Sequence, residues 1–178
     1  MRRKALVIVD MQNDFVIGEL QADNAIEIID PIVKYAQQFP GDVYFTQDTH
    51  LDPEFADYDT MSIEEKTLPP HCIFQTWGWE IIEELRDVAR ESRIVTKSEF
   101  GSVNLAHFLD QYEEIQFCGV CTDVCVLSNV IVTQSENPYA KIVVLANLCA
   151  GTTKNHHNWA LRLMADSLLV DVEEAIVF

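Results

Sequence analysis

The sequence predicts a three-layer α/β/α sandwich whose central, mostly parallel and doubly wound sheet has about six strands. Two observations point to this fold class. Short apolar runs of strand length recur along the chain, and segments with a helical apolar period separate them. The length of 178 residues, 48% of them hydrophobic, suits one core rather than two. We therefore expect residues 1–178 to form a single domain.

The six predicted strands are apolar runs bounded by polar or turn residues. They are Ala5–Val9, Val43–Gln47, Ile94–Thr96, Ile115–Cys118, Ile142–Leu145 and Leu168–Val172. The first run follows the basic start MRRK. Because it is shorter than the apolar region of a signal peptide and far shorter than a membrane span, we interpret it as a strand.

Three apolar stripes at helical spacing lie between the predicted strands. Their members are Ile26, Ile29, Ile32 and Val33, then Ile81, Ile82, Leu85 and Ala89, then Val126, Val130 and Thr133. Each stripe predicts a helix that packs one face against the sheet. Pro31 falls inside the first stripe, which predicts that this helix begins near Pro31 or kinks there.

The formal charge of −17 restricts the classes of partner. Nucleic acids and anionic membranes are bound through basic patches, whereas the 12 Lys and Arg residues are scattered along this chain. The charge therefore argues against both and favours a small neutral or cationic ligand.

The cysteines predict a reducing environment. There are five of them, an odd number, and three crowd into positions 118, 121 and 125. This pattern is not that of a disulfide framework, so we expect free thiols in a cytoplasmic protein.

An acid, a base and a thiol follow three different predicted strands. Asp10 ends VIVD, Lys97 ends RIVTK, and the thiol is either Cys121 or Cys125 in GVCTDVCV. The carboxyl ends of parallel strands meet at one edge of a sheet, where ligands bind. Alone, the acid could cap a turn, the lysine could be a solvated charge and either thiol could be a small buried hydrophobe. Their coincidence predicts a hydrolase with a cysteine nucleophile, and residue chemistry leaves both cysteines open.

A candidate metal site begins at the second predicted strand. Asp48 and His50 form a D-x-H pair, and the following loop of residues 49–76, long for a compact domain, adds Glu64, Glu65 and His71. Imidazole and carboxylate ligands suit Zn²⁺, Mn²⁺ or Fe²⁺. The alternative is that Asp48 caps a turn and that the two histidines are ordinary polar loop residues.

The segments VDMQNDF, RIVTKSEFGS and GVCTDVCV resemble the motifs of the isochorismatase-like superfamily of cysteine hydrolases. The resemblance covers nearly the whole chain. TQDTH, EEKTLPPHC and QTWGWE resemble the metal loop of the nicotinamidase and pyrazinamidase branch. The resemblance implies that Cys125, rather than Cys121, is the nucleophile.

The same resemblance implies a mechanism. Asp10 would take the thiol proton of Cys125, Lys97 would hold the ion pair, and the thiolate would attack a carboxamide to form a thioester. The backbone N–H groups of Cys121 and Cys125 would form the oxyanion hole. A cis peptide bond is implied between Val120 and Cys121.

The resemblance also implies a metal and a substrate pocket. The ligands of the metal would be Asp48, His50, Glu64 and His71, and the metal would be zinc or, alternatively, manganese or iron. The metal would position a pyridine nitrogen. Phe15, Leu68 and Trp77 are candidates to line the ring pocket, although Trp77 could equally belong to the core. Leu68 stands where an aromatic residue is frequent, and the loop after Lys97 is shorter than usual.

The predicted function is therefore deamidation of nicotinamide to nicotinate, a step of NAD salvage. One alternative is a hydrolase of the same superfamily that acts on a ureido or carbamoyl compound. The other is a binding protein that keeps the fold without catalysis. Oligomers are common in the family, so a homo-oligomer is compatible with the sequence, but no apolar surface stripe identifies an interface.

Overall fold

A single parallel sheet of six strands forms the centre of the protein in a computed structural model, which describes residues 3–177. The strands are β1 (Lys4–Val9), β2 (Asp42–Asp48), β3 (Arg93–Lys97), β4 (Glu114–Val120), β5 (Lys141–Ala150) and β6 (Asp171–Glu173). Their spatial order is β3-β2-β1-β4-β5-β6. The predicted α/β class with a doubly wound sheet is confirmed, and the sheet is parallel throughout.

Seven α-helices connect the strands within the described residues. They are α1 (Asn13–Val16), α2 (Ile29–Gln38), α3 (Ile63–Thr67), α4 (Arg86–Arg90), α5 (Val103–Phe108), α6 (Leu127–Glu136) and α7 (Lys154–Asp166). Two 3₁₀ turns, Ala25–Ile28 and Glu83–Leu85, precede α2 and α4, and a π turn, Thr122–Val126, precedes α6. Helix α2 packs near α4, whereas α5 packs on α6. Right-handed crossovers in the two directions of the sheet put these pairs on opposite faces.

Four of the seven helices were not predicted, namely α1, α3, α5 and α7. Helices α1 and α3 have only four and five residues, and neither α5 nor α7 has a broad apolar stripe. Helix α5 has only six residues, too few to establish a period. Helix α7 has thirteen residues but buries only Ala160 and Met164. Both begin at a side-chain cap, Ser102 for α5 and Thr153 for α7, and these caps are the sequence signals that could have located them.

The first predicted stripe is wrong at Ile26. Its side chain is 54% exposed, whereas Ile28, Ile29 and Ile32 are buried. The reason is the 3₁₀ turn of residues 25–28, whose three-residue period turns Ala25 and Ile28 to the core and Ile26 to solvent. The expectation for Pro31 is confirmed, since α2 begins at Ile29, two residues before it. Every member of the second and third stripes is buried. The third stripe lies on the turn and helix of residues 122–136, as predicted, whereas Ile81 and Ile82 of the second stripe precede the helical residues, so that prediction is only partly correct.

The last predicted strand is only partly correct. Predicted for Leu168–Val172, β6 comprises Asp171–Glu173. The backbone N–H groups of Leu168 and Val170 instead donate to carbonyls of α7, at Leu163 and Met164. Leu169 between them has a φ of 57°, so these residues close the end of α7 before the strand begins.

The order of the strands reverses at β1, which lies between β2 and β4. Strand β4 is buried along its whole length. Where its carboxyl end meets β1, Gly119 has a φ of 107°, and a Cβ there would lie 2.3 Å from the carbonyl oxygen of Val9. Glycine is therefore required at this junction. In an open α/β sheet this switch point is where a ligand site forms.

Candidate active site and metal centre

The carboxyl ends of four strands bring the predicted polar residues together. Asp10 follows β1, Asp48 ends β2, Lys97 ends β3, and Cys125 lies in the π turn after β4. Asp48 and Lys97 are direct partners in the register of β2 and β3. All four side chains are buried, although they are far apart in sequence.

Lys97 contacts each of the other three residues. Its Nζ lies 2.7 Å from Asp10 Oδ2, donates to Asp48 Oδ1 at 3.0 Å, and lies 3.7 Å from Cys125 Sγ. Asp10 is held from its other side by Thr46, whose hydroxyl donates to Oδ1 at 2.6 Å. The acid, the base and the thiol thus form one buried cluster around the ammonium group.

The charges of this cluster stabilise a protonated lysine. Burial alone would lower the pKa of Lys97, but the charges of Asp10 and Asp48 raise it well above its ordinary value. Burial raises the pKa of Asp10, and Lys97 opposes that shift. Burial also raises the pKa of the Cys125 thiol well above its ordinary value, again opposed by Lys97. In the resting site the thiol therefore keeps its proton, and Asp10 is a base of raised proton affinity within the same cluster.

Asp10 has an unusual backbone conformation. Its φ of 47° is in the left-handed region, which residues other than glycine rarely adopt. Its N–H donates to the Thr46 hydroxyl at 3.1 Å, on the neighbouring strand. Such strain is characteristic of residues held in place for function.

The two candidate thiols lie at the start and near the end of one turn. Cys121 precedes the π turn and its carbonyl accepts from the N–H groups of Val124 and Val126. The peptide bond between Val120 and Cys121 is cis. Both thiols are buried and free, and Lys97 contacts Cys125. Burial raises the pKa of Cys121 to about 12.

A second cluster, the candidate metal centre, adjoins the first. It comprises Asp48, His50, Glu64 and His71, all buried, and each offers one ligand atom within 4.8 Å of the others. Asp48 Oδ2 lies 2.9 Å from His50 Nε2 and 3.4 Å from His71 Nε2. The sequence-predicted ligands therefore converge on one point, although they come from β2, α3 and two loop positions.

The donor set fits a divalent cation. His71 Nε2 and Glu64 Oε2 are buried without a hydrogen-bond partner among the described residues. Buried polar atoms are nearly always satisfied, so the unpaired His71 Nε2, which faces Asp48 Oδ2 at 3.4 Å and Glu64 Oε1 at 3.5 Å, indicates a missing ligand. Two imidazoles and two carboxylates are the donors that Zn²⁺ and similar ions prefer.

Without a metal ion, the negative charge of the carboxylates in this cluster is compensated by the adjacent imidazoles. Burial would raise the pKa of Asp48, but the adjacent imidazoles of His50 and His71 and the charge of Lys97 hold that pKa far below its usual range. Burial would lower the pKa of His71, but Asp48 and Glu64 raise it to about 10. The pKa of His50 is raised in the same way by Asp48.

Neighbouring groups orient both histidines. The Nδ1 of His50 lies 3.2 Å from Glu65 Oε1, and the Nδ1 of His71 lies 2.8 Å from the carbonyl oxygen of Pro69. Each Nε2 is therefore directed at Asp48, the arrangement that metal-binding histidines usually adopt. Glu65 has a second contact, because its other oxygen accepts from the N–H of Ser62 and closes a capping box on α3.

The sequence placed Glu65 in the candidate metal loop without assigning it a supporting role, and Gln12 was missed. The pattern Ser62-x-x-Glu65 is a capping-box signature and could have predicted α3, and with it the position of Glu64. Gln12 is fully buried; its Oε1 accepts from the N–H of Asp48 at 2.7 Å, and its Nε2 donates to the Asp48 carbonyl at 2.9 Å. Nothing in the isolated sequence indicates that Gln12 fixes the backbone of Asp48, because Gln12 lies after the end of β1 and the two residues meet only in the folded chain.

A cavity of about 440 Å³ opens beside Cys125. Its lining includes the predicted pocket residues Phe15 and Leu68, together with Cys121 and Cys125. Sequence reasoning missed its other lining residues, which are Glu19, Leu20, Gln21, Phe100, Val124 and Thr152. The walls are largely apolar, which suits a flat, weakly polar ligand.

Trp77 does not line this cavity, and the alternative that it belongs to the core is also wrong. Its side chain is 56% exposed. Its backbone carbonyl accepts from Asn13 Nδ2 at 2.7 Å, which fixes the chain there and leaves the indole at the surface. Phe100 is an aromatic residue that does line the cavity, from the loop after Lys97.

Among residues 3–177, no helix is both long enough and apolar enough to cross a membrane.

Comparisons with known proteins agree on one family. The isochorismatase domain model matches residues 4–174. The chain is 26% identical to the nicotinamidase of Saccharomyces cerevisiae over 186 aligned positions, covering 80% of this chain and 86% of that protein. It is 29% identical to the nicotinamidase/pyrazinamidase of Bacillus subtilis, whose crystal structure superposes with a TM-score of 0.83 over 97% of this chain and all of that one. A pyrazinamidase of Pyrococcus horikoshii, solved in complex with zinc, shares the fold at 22% identity, with a TM-score of 0.79 over 97% of this chain and 99% of that one.

Proposed function

The chain belongs to the isochorismatase family, and on this premise we propose that it deamidates nicotinamide to nicotinate and ammonia through a thioester on Cys125. One observation carries the proposal. Lys97 contacts Asp10, Asp48 and Cys125 within a buried cluster that borders both the apolar cavity and the candidate metal centre. The names of the relatives from yeast and Bacillus subtilis support the choice of a pyridine carboxamide as substrate.

In the proposed first half-reaction, Asp10 accepts the thiol proton of Cys125 and Lys97 stabilises the resulting thiolate. The sulfur attacks the carboxamide carbon, and the carbonyl oxygen becomes an oxyanion. Asp10 then returns the proton to the amide nitrogen, the C–N bond breaks and ammonia departs. The raised pKa of Asp10 suits a group that both takes and returns a proton.

In the second half-reaction, Asp10 removes a proton from a water molecule that enters after ammonia has left. The hydroxide attacks the thioester carbon, the C–S bond breaks and Cys125 regains its proton. The product is a carboxylic acid, which ionises near neutral pH. The backbone N–H groups of Cys121 and Cys125 are the proposed donors to the oxyanion in both halves.

Asp48, His50, Glu64 and His71 are the proposed ligands of a divalent metal, with zinc favoured and manganese or iron as alternatives. When bound, such an ion supplies a coordination position that orients the ring nitrogen, directly or through water. Phe15 and Leu68 would cover the faces of the ring from the cavity wall. Trp77, exposed and outside the cavity lining, is left out of this proposed pocket.

The proposal includes the setting of the enzyme. Five free, buried cysteines are compatible with a reducing compartment, which supports the cytoplasm. A single domain over residues 1–178 accounts for every element of the site, because the cluster draws on β1, β2, β3 and the turn after β4. Release of nicotinate would supply NAD salvage.

The test is ammonia release by the purified full chain. We expect turnover of nicotinamide and pyrazinamide, a fall below detection in Cys125→Ala, and a large fall after removal of metal by a chelator that is reversed by Zn²⁺. Cys118→Ala, which removes a buried thiol from the middle of β4, is the matched control and should keep its turnover.

Two outcomes would contradict the proposal. Hydrolysis of ureido or carbamoyl compounds without hydrolysis of nicotinamide would assign the chain to another activity of the family. No hydrolysis of any amide by metal-loaded protein would favour the binding protein.

A further inference from the structure

Asp48 belongs to both clusters, with one carboxylate oxygen in each. Its Oδ1 accepts from Lys97 Nζ at 3.0 Å, and its Oδ2 lies 2.9 Å from His50 Nε2 and 3.4 Å from His71 Nε2. Of the four candidate ligands, only Asp48 forms an ion pair with Lys97 among residues 3–177. The metal centre and the thiol cluster are thus two ends of a single hydrogen-bonded chain.

The position of Asp48 is fixed by its surroundings. Gln12 holds its backbone N–H and carbonyl, and the strand register places it opposite Lys97. The side chain is fully buried, so water does not screen its charge. Asp48 therefore cannot move away from one cluster without also losing its contacts in the other.

The charge of Asp48 acts on the thiol through this chain. Lys97 is the positive group that stabilises a thiolate at Cys125, and both Asp10 and Asp48 compete for it. A divalent cation on Oδ2 would neutralise Asp48 and leave more of the lysine's field for the sulfur. In a dry site, removal of one negative charge two hydrogen bonds away changes the reactivity by a measurable factor.

We propose that Asp48 is a positioning residue that couples the two centres, so that binding of a divalent cation increases the reactivity of the Cys125 thiol before any substrate enters. This inference rests on the proposed function for the identity of the nucleophile and of the ligands. It adds a second consequence of metal binding to the orientation of the ring. The metal-free protein then lacks both the orientation of the substrate ring and the increased reactivity of the Cys125 thiol.

The test measures alkylation of Cys125 by iodoacetamide in the full chain, without substrate and near neutral pH. The probe is Mn²⁺, because it binds thiolates more weakly than Zn²⁺ and so does not mask the sulfur. We expect the labelling rate of Cys125, followed by mass spectrometry, to rise on the order of tenfold between metal-free and Mn²⁺-saturated protein. Equilibrium dialysis reports the occupancy independently of any activity.

Two variants separate this coupling from other effects. Asp48→Asn removes the charge permanently, so its metal-free labelling should be faster than that of the parent, and Mn²⁺ should add nothing. Glu64→Gln weakens the centre without a contact to Lys97. In that variant the Mn²⁺ concentration for half-maximal labelling should increase together with that for half occupancy, so the test holds even if Asp48→Asn does not fold.

A labelling rate that stays constant or decreases as Mn²⁺ occupies the protein would overturn the inference, and so would absence of Mn²⁺ binding. The failure of the proposed function is distinguishable from this. If labelling responds to Mn²⁺ but no amide is hydrolysed, the coupling stands and the substrate is wrong. If nicotinamide is hydrolysed but the labelling rate does not change with Mn²⁺, the proposed coupling is wrong and the proposed function stands.

Discussion

At the scale of single residues, Lys97 stabilises two buried carboxylates at once. It lies 2.7 Å from Asp10 and 3.0 Å from Asp48, and its side chain is almost completely enclosed. Taking one partner from a buried charge cluster costs about 3–5 kcal/mol, because the remaining charges lose their compensation. Stability and the proposed chemistry thus depend on the same ammonium group.

Lys97→Met should lower both the free energy of unfolding and the rate of amide hydrolysis. We expect a loss of about 3 kcal/mol in denaturant unfolding and at least about a 10²-fold fall in kcat, since the thiolate loses its counter-ion. Lys97→Arg should recover more of the stability than of the rate, because the planar guanidinium does not reproduce the three contacts of an ammonium.

A matched control lies at the opposite end of the sheet. Lys4, at the start of β1, pairs with Glu114 at 2.9 Å but is partly exposed. Lys4→Met should cost less than about 1 kcal/mol and leave hydrolysis unchanged. Equal losses of activity in the variants of Lys97 and Lys4 would contradict the role given to the cluster.

The residues at strand ends could be predicted from sequence, because the topology of a parallel sheet collects them at one edge whatever the loops do. Asp10, Lys97 and the two cysteines needed only the apolar runs before them. The contacts of Gln12 could not be predicted, since they depend on how β1 and β2 are registered. Trp77 is exposed, and the contact that holds its carbonyl comes from Asn13, 64 residues away in the sequence, which the local pattern does not show.

At the scale of elements, the short helix α3 places Glu64 in the candidate metal centre. With five residues it has little stability of its own, and the capping box between Ser62 and Glu65 satisfies its first N–H groups. Glu65 also contacts His50. The cap therefore stabilises the helix that carries the candidate ligand Glu64, and through Glu65 it also orients the candidate ligand His50.

Ser62→Ala should weaken metal binding as well as stability. Loss of the cap costs about 1 kcal/mol, and the displaced helix should raise the dissociation constant for Zn²⁺ by about tenfold, the effect typical of outer-shell changes. Calorimetric titration of metal-free protein with Zn²⁺ measures this.

Thr153→Ala is the control for this experiment, because Thr153 caps α7 by the same type of bond, accepting from the N–H of His156 at 3.1 Å. It should show a similar loss of stability with unchanged metal affinity. An unchanged affinity in Ser62→Ala as well would mean that α3 does not depend on its cap.

Helices and strands could be predicted where a broad apolar pattern specifies them. They could not be predicted where a local turn determines the backbone conformation. Strands β1, β2, β3, β4 and β5 each contain their predicted run. Ile26 and β6 were wrong because a 3₁₀ turn and a helix end shift the backbone phase over a few residues. Such shifts depend on tertiary hydrogen bonds, which leave no periodic trace in the sequence.

At the scale of the whole molecule, the metal-free protein should lose stability as pH rises. The pKa of His71 is raised to about 10 by Asp48 and Glu64, after opposition from burial. A raised folded-state pKa contributes stability that is complete below the unfolded value of about 6.5. That contribution disappears as pH rises from there toward 10. Burial raises the pKa of Cys125, which acts in the same direction once unfolded thiols begin to ionise near their ordinary pKa.

In a chelator, the melting temperature should therefore fall between pH 6.5 and pH 10, by roughly 4–8 °C if about 2 kcal/mol is lost. His71→Asn should flatten this dependence, because its side chain does not titrate. Thermal unfolding at several pH values provides the measurement. A melting temperature that rises over this interval would contradict the assigned protonation of His71.

The register that places Asp48 opposite Lys97 also constrains how the chain can fold incorrectly. Strand β3 lies at an edge of the sheet, with a single neighbouring strand, and edge strands are the ones free to slide. A slide of one residue would turn the lysine to the other face, and a slide of two would carry it away from both carboxylates. Either misalignment would leave buried negative charges without a counter-ion. The charges of the candidate site thus also favour the correct strand alignment, because a chain with β3 out of register is destabilised by its unpaired buried carboxylates.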